Sequence, residues 1–262
     1  MSAARDASPA VKLTKVTKSF GKKTVLSALD LTVQKGESLV LVGQSGIGKS
    51  VLLKHVIGLL KPDSGTISLG DRDITRLSPR EITRLGVARS FQIPQLYPDL
   101  TVLDNMLVAT ACHDDRLSFW EVARNAHAVE RADALLERFK LGEHRERRVA
   151  ELPGGVRKLL DIAMALTGQP RLLLLDEPTS GVSAEEKFPM METIMSALGA
   201  EKMTVLFVEH DMDIVERYAG RVVAFYSGRI IADDTPQVAL ATDDVRRYVT
   251  GTLRQEPDHA AH

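Results

Sequence analysis

The sequence predicts an α/β protein with a mostly parallel core, an antiparallel β subdomain and an inserted α-helical subdomain. Short apolar strands alternate with helical segments in both halves of the chain, which is typical of parallel sheets. Residues 11–20 and 29–33 alternate in polarity around the turn Gly21-Lys22-Lys23, which indicates an antiparallel opening. Strand signals are scarce in 101–148, where residues 118–141 carry apolar side chains at helical spacing among many charges. That segment is the predicted helical insertion.

The remaining elements follow from apolar runs bounded by turn residues and helix starts. Ser78-Pro79 opens a short helix, and Pro153-Gly154-Gly155 precedes another that runs to Leu166. The other predicted elements are strands at 38–42, 65–70, 86–90, 172–176, 204–208 and 222–225, a helix at 51–60 and a helix between the last two strands.

Composition excludes several classes of protein. The 262 residues carry a net charge of −1, so there is no electrostatic case for a nucleic-acid partner. The single Cys112 excludes an intrachain disulfide framework and a cysteine-rich zinc site. No apolar run approaches the roughly 20 residues that cross a bilayer, and the first twelve residues lack a secretory apolar stretch. We therefore expect a cytoplasmic chain whose work at a membrane is done through a partner.

A phosphate-binding loop is predicted at residues 43–51. The pattern G-x-x-x-x-G-K-[ST] is filled by Gly43, Gln44, Ser45, Gly46, Ile47, Gly48, Lys49 and Ser50, and Val51 follows. Its glycines let backbone N–H groups surround a phosphate at the positive end of the next helix. Lys49 would reach the β- and γ-phosphates of ATP, and the Ser50 hydroxyl would bind Mg²⁺. The flanking strand and helix support this interpretation.

Two carboxylates follow the run of four leucines that ends at Leu175. Asp176 closes the strand, and in a doubly wound sheet ligands bind at the carboxyl ends of the strands. It is therefore predicted to bind Mg²⁺ through water. Glu177 is predicted to be the catalytic base, which polarises the water that attacks the γ-phosphate.

Five motifs occur in the order found in ATP-binding subunits of ABC transporters. They are the loop at 43–50, Phe91-Gln92, Leu152-Pro153-Gly154-Gly155, residues 175–180 and Val208-Glu209-His210-Asp211. Residues 171–183 and 208–212 resemble the branched-chain amino acid importer subfamily most. The resemblance implies a single ABC ATPase domain over 1–262, with a P-loop NTPase (RecA-like) core. In it, 11–92 and 152–240 form the nucleotide-binding core, 93–151 the helical insertion and 251–262 a disordered tail.

The resemblance also implies roles for single residues. Phe20, at a strand end about thirty residues before Lys49, corresponds to the aromatic residue that stacks on adenine. Gln92 corresponds to the glutamine that contacts Mg²⁺ and the attacking water. His210 corresponds to the histidine that contacts the γ-phosphate and holds the catalytic geometry. Pro153, Gly154 and Gly155 correspond to the signature segment that faces the ATP bound by a second subunit.

The signature segment departs from the family's common Leu-Ser-Gly-Gly-Gln. Pro153 replaces the serine and Val156 the glutamine, so a hydroxyl and a side-chain amide are lost together. Two glycines at a helix N-terminus still offer backbone N–H groups to a phosphate. Our hypothesis is that this signature still completes a partner's ATP site but binds ATP more weakly than the common signature does.

The same resemblance implies partners. One P-loop and no internal repeat mean that the second cassette comes from another chain, identical or paralogous. Residues 93–100 mix prolines with apolar side chains and, with the insertion, would receive a cytoplasmic helix of an integral-membrane permease. The chain is thus expected on the inner face of the cell membrane, with a periplasmic or extracellular solute-binding protein supplying the solute indirectly.

Three alternatives stay open at this point. An exporter ATPase of the lipopolysaccharide type shares Val208-Glu209-His210-Asp211. A non-transport ABC ATPase of DNA repair or translation usually carries a long coiled coil, zinc-binding cysteines or two fused cassettes, which this chain lacks. A P-loop kinase or GTPase conflicts with the signature segment.

Overall fold

The computed structural model describes residues 8–44, 48–90, 92–113, 125–199 and 203–252. The strands in these ranges are β1 (Val11–Phe20), β2 (Lys23–Val33), β3 (Ser38–Gly43), β4 (Ser64–Leu69), β5 (Arg72–Asp73), β6 (Val87–Arg89), β7 (Leu172–Asp176), β8 (Thr204–Val208), β9 (Arg221–Tyr226) and β10 (Arg229–Asp234). They form a four-stranded sheet in the order β2-β1-β4-β5 and a six-stranded sheet in the order β10-β9-β3-β8-β7-β6.

The smaller sheet is antiparallel, as the alternation of its first strands predicts. The β1–β2 hairpin pairs Val11 with Val33 and Phe20 with Lys23. The prediction that the second strand begins near residue 29 was wrong, since β2 begins at Lys23. Bulges explain the miss: the pairing register shifts along the hairpin, and Ala28 has φ +46°, so the apolar alternation is interrupted where the strand continues.

The larger sheet is mostly parallel and forms the centre of the molecule. β3 lies between β8 and β9, and β7 lies between β8 and β6, all in parallel register. Every residue of β7 and β8 is buried, which is why both strands are continuous apolar runs in the sequence. Because the strands are parallel, their carboxyl ends meet at one edge of the sheet.

Helices cover both faces of this sheet. They are α1 (Lys49–Val56), α2 (Pro79–Arg84), α3 (Val102–His113), α4 (Ala126–Arg138), α5 (Gly154–Ala165), α6 (Ala184–Gly199), α7 (Met212–Tyr218), α8 (Pro236–Ala241) and α9 (Asp243–Tyr248). Two buried apolar clusters result. One joins the sheet to α3, α4, α5 and α6, and the other joins it to the antiparallel sheet, α1 and α2.

Helices α3 and α4 lie within the stretch for which an insertion is predicted. The described part of the expected helix at 118–141 is α4, and Asn125 caps it by accepting hydrogen bonds from His127 N and Ala128 N. Residues 118–124 are outside the described part of the chain. Met106 of α3 and Leu136 of α4 belong to the same buried cluster as the central sheet, so these helices are held by packing against the core.

The elements differ from the predictions in two further ways. The helix predicted at 51–60 runs from Lys49 to Val56, and Gly58 follows with φ +75°, as is common where helices end. β5 and β10 were not predicted, because one has two residues and the other is half-exposed and polar at its end. Of the tail, Gly251 and Thr252 are exposed, and the rest is not described. No helix among the described residues is long and apolar enough to cross a membrane.

Candidate functional site

Five polar side chains that carry the predicted chemistry gather at the carboxyl edge of the parallel sheet. β3 ends at Gly43, which leads to Lys49, while β7 ends at Asp176 and is followed by Glu177. β8 ends at Val208, two residues before His210, and β6 ends at Arg89, three residues before Gln92. The elements therefore bring together residues that are far apart in sequence, as expected for a doubly wound sheet.

The loop between β3 and α1 requires glycine at two described positions. Gly43 has φ +150°, and a Cβ there would lie 2.6 Å from the carbonyl oxygen of Phe225. Gly48 has φ +87°, and its Cβ would lie 2.8 Å from the carbonyl oxygen of Val25 on β2. No side chain caps α1, so the N–H groups of its first turn are available to an anion. Ser45, Gly46 and Ile47 lie outside the described residues.

Lys49 is 4% exposed, and its ammonium group folds back on the loop. Its Nζ donates hydrogen bonds to the carbonyl oxygens of Gly43 and Gln44, the second at 3.0 Å. Burial lowers the pKa of Lys49, and the negative charges of Glu177 and Asp176 oppose that change. Ser50 is exposed and Val51 half-buried at the start of α1. The lysine thus lies within the field of both predicted carboxylates.

Asp176 is buried, and its carboxylate is paired with a residue that the sequence analysis did not single out. Arg89, the last residue of β6, donates from Nη2 to Oδ2 of Asp176 at 2.7 Å. A buried carboxylate is costly without a compensating charge, and the guanidinium supplies it. An arginine two residues before the predicted Phe91-Gln92 motif was the available signal.

Glu177 lies between the two other predicted catalytic side chains. Gln92 Nε2 donates to Oε2 at 2.9 Å, and His210 Nε2 lies 3.0 Å from Oε1. Gln92 and His210 are exposed, so the cluster is open to a substrate. The backbone of Glu177 has φ +51°, which is strained for a residue with a side chain, and its N–H donates to the Val208 carbonyl at 3.1 Å.

Two buried charged residues hold the segment that follows Glu177, and neither was predicted. Lys158 of α5 donates from Nζ to the carbonyl oxygens of Glu177 and Ser180, both at 2.7 Å. Burial lowers the pKa of Lys158, against the attraction of nearby carboxylates led by Glu209. Glu209 accepts from the Thr179 hydroxyl at 2.8 Å and from the Thr179 N–H at 3.0 Å. The signal for Lys158 was a charged residue inside an apolar helix. The signal for Glu209 was a charged residue directly after an apolar strand.

Phe20 lies at the end of β1 on the antiparallel sheet, and 49% of its surface is exposed. Lys18 Nζ is 5.6 Å from the centroid of its ring. The same sheet abuts the phosphate-loop region, because Val25 of β2 is the close neighbour of Gly48. An exposed aromatic ring on this sheet is available for stacking.

Pro153, Gly154 and Gly155 stand apart from the other predicted residues. Pro153 and Gly154 are exposed at the start of α5, and a Cβ at either glycine would meet nothing within 4 Å. Pro153 caps the helix without a side-chain hydrogen bond, and Val156 packs against the main buried cluster. In the described chain, no recorded hydrogen bond joins these residues to the loop at 43–51. They present an open helix N-terminus to the surface.

The chain was compared with known proteins. The ABC transporter family model matches residues 26–180. A probable branched-chain amino acid transport ATP-binding protein LivG of Methanocaldococcus jannaschii is 32% identical over 87% of this chain and 91% of its own length. A Nod factor export ATP-binding protein I of Burkholderia lata is 37% identical over 87% of this chain and 71% of its own.

The fold has solved counterparts. A crystal structure of the ADP conformation of an ABC transporter's ATP-binding cassette aligns with a TM-score of 0.80 and 30% identity, covering 91% of this chain and 97% of that one. Both the sequence and the fold thus match over most of the chain, and the chain belongs to the ABC transporter family as an ATP-binding subunit, an ATPase whose hydrolysis of ATP powers transport.

Proposed function

We propose that the cluster around Glu177 is the hydrolytic centre of this ATPase and that it acts with Mg²⁺. The observation that carries the proposal is the placement of the Glu177 carboxylate between Gln92 and His210, at the sheet edge that also carries Lys49 and Asp176. A carboxylate held between two polar side chains is suited to orient and deprotonate water for attack on the γ-phosphate.

The residues near this edge fit a magnesium ion. The Ser50 hydroxyl, the Asp176 carboxylate and the Gln92 amide are oxygen donors, which a hard cation prefers. When bound with ATP, Mg²⁺ would neutralise charge on the β- and γ-phosphates. In this proposal Lys49 and the N–H groups of 43–51, including Ser45, Gly46 and Ile47, hold the phosphates. His210 contacts the γ-phosphate, and Phe20 stacks on adenine.

The test of the centre is the substitution Glu177→Gln, which keeps the shape and removes the base. We expect ATP turnover to fall by at least about a hundredfold, the effect typical of a lost general base. Binding of a fluorescent ATP analogue should be preserved. Lys49→Ala serves as the contrast, because it should abolish nucleotide binding itself. Turnover in the Glu177→Gln chain close to that of the unaltered protein would contradict the role of Glu177.

We further propose that the chain powers an importer for branched-chain amino acids or related small solutes. The likeness to LivG over most of both chains supports this. So does the surface of 93–98, where Ile93 is 74% and Tyr97 50% exposed. Tyr97 N–H donates to the side chain of Asn105 at 2.9 Å, so the backbone is fixed while apolar side chains face outward.

The partner of that surface is proposed to be a cytoplasmic helix of an integral-membrane permease. A half-open cavity of about 360 Å³ lies beside Ile93 and Pro94 and reaches Gly154 and Val182. An apolar groove next to exposed apolar side chains is suited to an amphipathic helix. In the same proposal 93–151 forms the helical subdomain, inserted in a nucleotide-binding core of 11–92 and 152–240.

The assembly is tested by isolating the tagged chain from its native membranes in mild detergent. Recovery of multi-spanning permeases, a second cassette and a solute-binding protein would support the importer and give the component to screen for its solute. The exporter is the second candidate, favoured by the 37% identity to a Nod factor export subunit. Permeases without a solute-binding protein would favour it, and recovery of ribosomes or nucleic acid would contradict both.

A further inference from the structure

The feature with no role in the proposed function is the ion pair between Arg89 and Asp176. The Arg89 side chain is 11% exposed, and its Nη2 lies 2.7 Å from Oδ2 of Asp176. Asp176 is the residue proposed to face Mg²⁺. The Arg89 guanidinium is therefore paired with the same carboxylate that would bind the metal. The inference below therefore rests on the proposed function.

Charge balance explains why Arg89 is paired with Asp176. A buried carboxylate needs a nearby positive charge, and leaving it unpaired is strongly destabilising. The hydrogen bonds of Lys49 go to the carbonyl oxygens of Gly43 and Gln44. The ion pair to Asp176 comes from Arg89, whose guanidinium forms a charge-assisted hydrogen bond with the carboxylate.

The position of Arg89 connects this pair to the segment that bears Gln92. β6 is a three-residue edge strand, and Arg89 lies opposite Leu174 in the parallel register with β7. Ser90 N–H donates to the Leu174 carbonyl at 3.0 Å, and Gln92 then donates to Glu177. The side chains of Arg89 and Gln92 thus attach the end of β6 and the residues that follow it to Asp176 and Glu177.

We propose that Arg89 is a positioning residue that holds Asp176 and competes with Mg²⁺ for it. Like charges repel, so the guanidinium opposes a metal cation at Asp176, and a metal bound there would weaken the Arg89 contact in turn. The segment that carries Gln92 stays attached to β7 by the Ser90 hydrogen bond and to Glu177 by the Gln92 side chain, so Arg89 acts on the metal affinity of Asp176.

The test is the Mg²⁺ dependence of binding a fluorescent ATP analogue, titrated from EDTA in Arg89→Gln, Arg89→Lys and the unaltered chain. Glutamine can still donate a hydrogen bond to Asp176 but carries no charge. We expect its half-saturating Mg²⁺ concentration to fall by at least about tenfold, because one and two charges roughly 6 Å apart already give that factor in water and repel more strongly around a buried pair. Arg89→Lys keeps the charge and should stay near the unaltered value. A purely structural role would not lower this concentration.

A half-saturating concentration that is unchanged or raised in Arg89→Gln would overturn the proposal. Should that chain not fold, the guanidinium Nε–H resonance of Arg89 is followed by NMR in the unaltered protein, identified by its absence in Arg89→Lys. Its exchange with water should rise with Mg²⁺ and ATP but not with ATP in EDTA, and equal exchange overturns the proposal as well. Turnover of Glu177→Gln decides the proposed function separately, because it does not depend on Arg89.

Discussion

At the residue scale, the site divides into side chains that act on ATP and side chains that hold them. Lys158 belongs to the second group, since its ammonium joins the carbonyl oxygens of Glu177 and Ser180. Those contacts fix a backbone that is strained at Glu177, with φ +51°. The position of the proposed base therefore depends on a buried charge in a different helix.

Lys158→Met should reduce ATP turnover by about tenfold or more, because displacement of a catalytic group by about 1 Å can cost far more than that. The affinity for a fluorescent ATP analogue should be nearly unchanged, since Lys158 makes its contacts with the backbone after β7. Arg157→Met is the matched control, because Arg157 is the exposed neighbour on the same helix. Steady-state turnover and analogue titration check the prediction. Equal turnover in both variants would show that Lys158 only packs.

His55 gives a pH dependence of stability that is separate from catalysis. It is buried in α1, with Nδ1 2.7 Å from the Val51 carbonyl oxygen. Desolvation lowers the pKa of His55 below its ordinary 6.5, although the Val51 carbonyl and Asp63 oppose this and Lys18 adds to it.

Between its folded and unfolded pKa values, His55 therefore binds a proton in the unfolded chain but not in the folded chain. Stability should be complete above pH 6.5 and fall as the pH drops toward the lowered folded pKa, with a slope of at most about 1.4 kcal/mol per pH unit from this group. His55→Leu should flatten that part of the curve. Urea unfolding between pH 5 and 8 measures it. A difference between the two chains that does not vary with pH would exclude His55 as the titrating group.

How much of the site the sequence could predict also depends on single residues. Asp176, Glu177, Gln92 and His210 could be identified because each lies within a short motif or at the end of an apolar strand. Arg89 meets Asp176 across 87 residues, and Glu209 meets Thr179 across 30. Such pairs follow from strand order, which local patterns do not specify, so the supporting charges emerged only from the fold.

At the element scale, predictability follows burial. β7 and β8 have the predicted bounds, because strands buried on both faces are uninterrupted apolar runs with clear ends. β2 was shortened in the prediction by its bulge, and β10 was missed because exposed edge strands carry a mixed pattern. The start of α2 was predicted from Ser78-Pro79, and its cap explains why that signal is strong.

This cap is a reciprocal one. Ser78 Oγ accepts from Glu81 N–H at 3.4 Å, and Glu81 Oε2 accepts from Ser78 N–H at 2.8 Å and from the Ser78 hydroxyl at 2.7 Å. Ser78→Ala should lower the free energy of unfolding by about 1 kcal/mol, the usual effect of losing an N-cap. Thr83→Ala, an exposed site in the same helix, should change it by less than about 0.5 kcal/mol. Urea unfolding distinguishes the two, and equal losses would mean that the cap contributes nothing specific.

At the scale of the whole molecule, the site is described within one chain, whereas the exposed signature at Pro153 and Gly154 is proposed to face the ATP of another. Among the described residues, nothing lies within 4 Å of a Cβ placed on either signature glycine. Val156 packs against the core and offers no hydrogen bond. The signature segment would therefore bind a partner's ATP through its backbone N–H groups.

Restoring the missing donors should tighten an ATP-dependent dimer. In a Glu177→Gln background, which holds ATP unhydrolysed, Pro153→Ser with Val156→Gln should form the dimer at an ATP concentration about tenfold lower. One added hydrogen bond to a charged phosphate contributes about 1.5–3 kcal/mol. Pro153→Ala with Val156→Ala is the matched control, because it removes the same side chains without adding a donor. Size-exclusion chromatography with light scattering measures the dimer with the purified chain.

The two double variants separate the possible explanations. Tightening in the serine and glutamine variant alone would mean that the signature acts through hydrogen bonds to a partner's nucleotide. Equal tightening in both would mean that Pro153 and Val156 only constrain the helix start. The same ATP concentration in all three chains would contradict the hypothesis of a weakened signature, because donors placed at a functioning contact cannot leave the dimer unchanged.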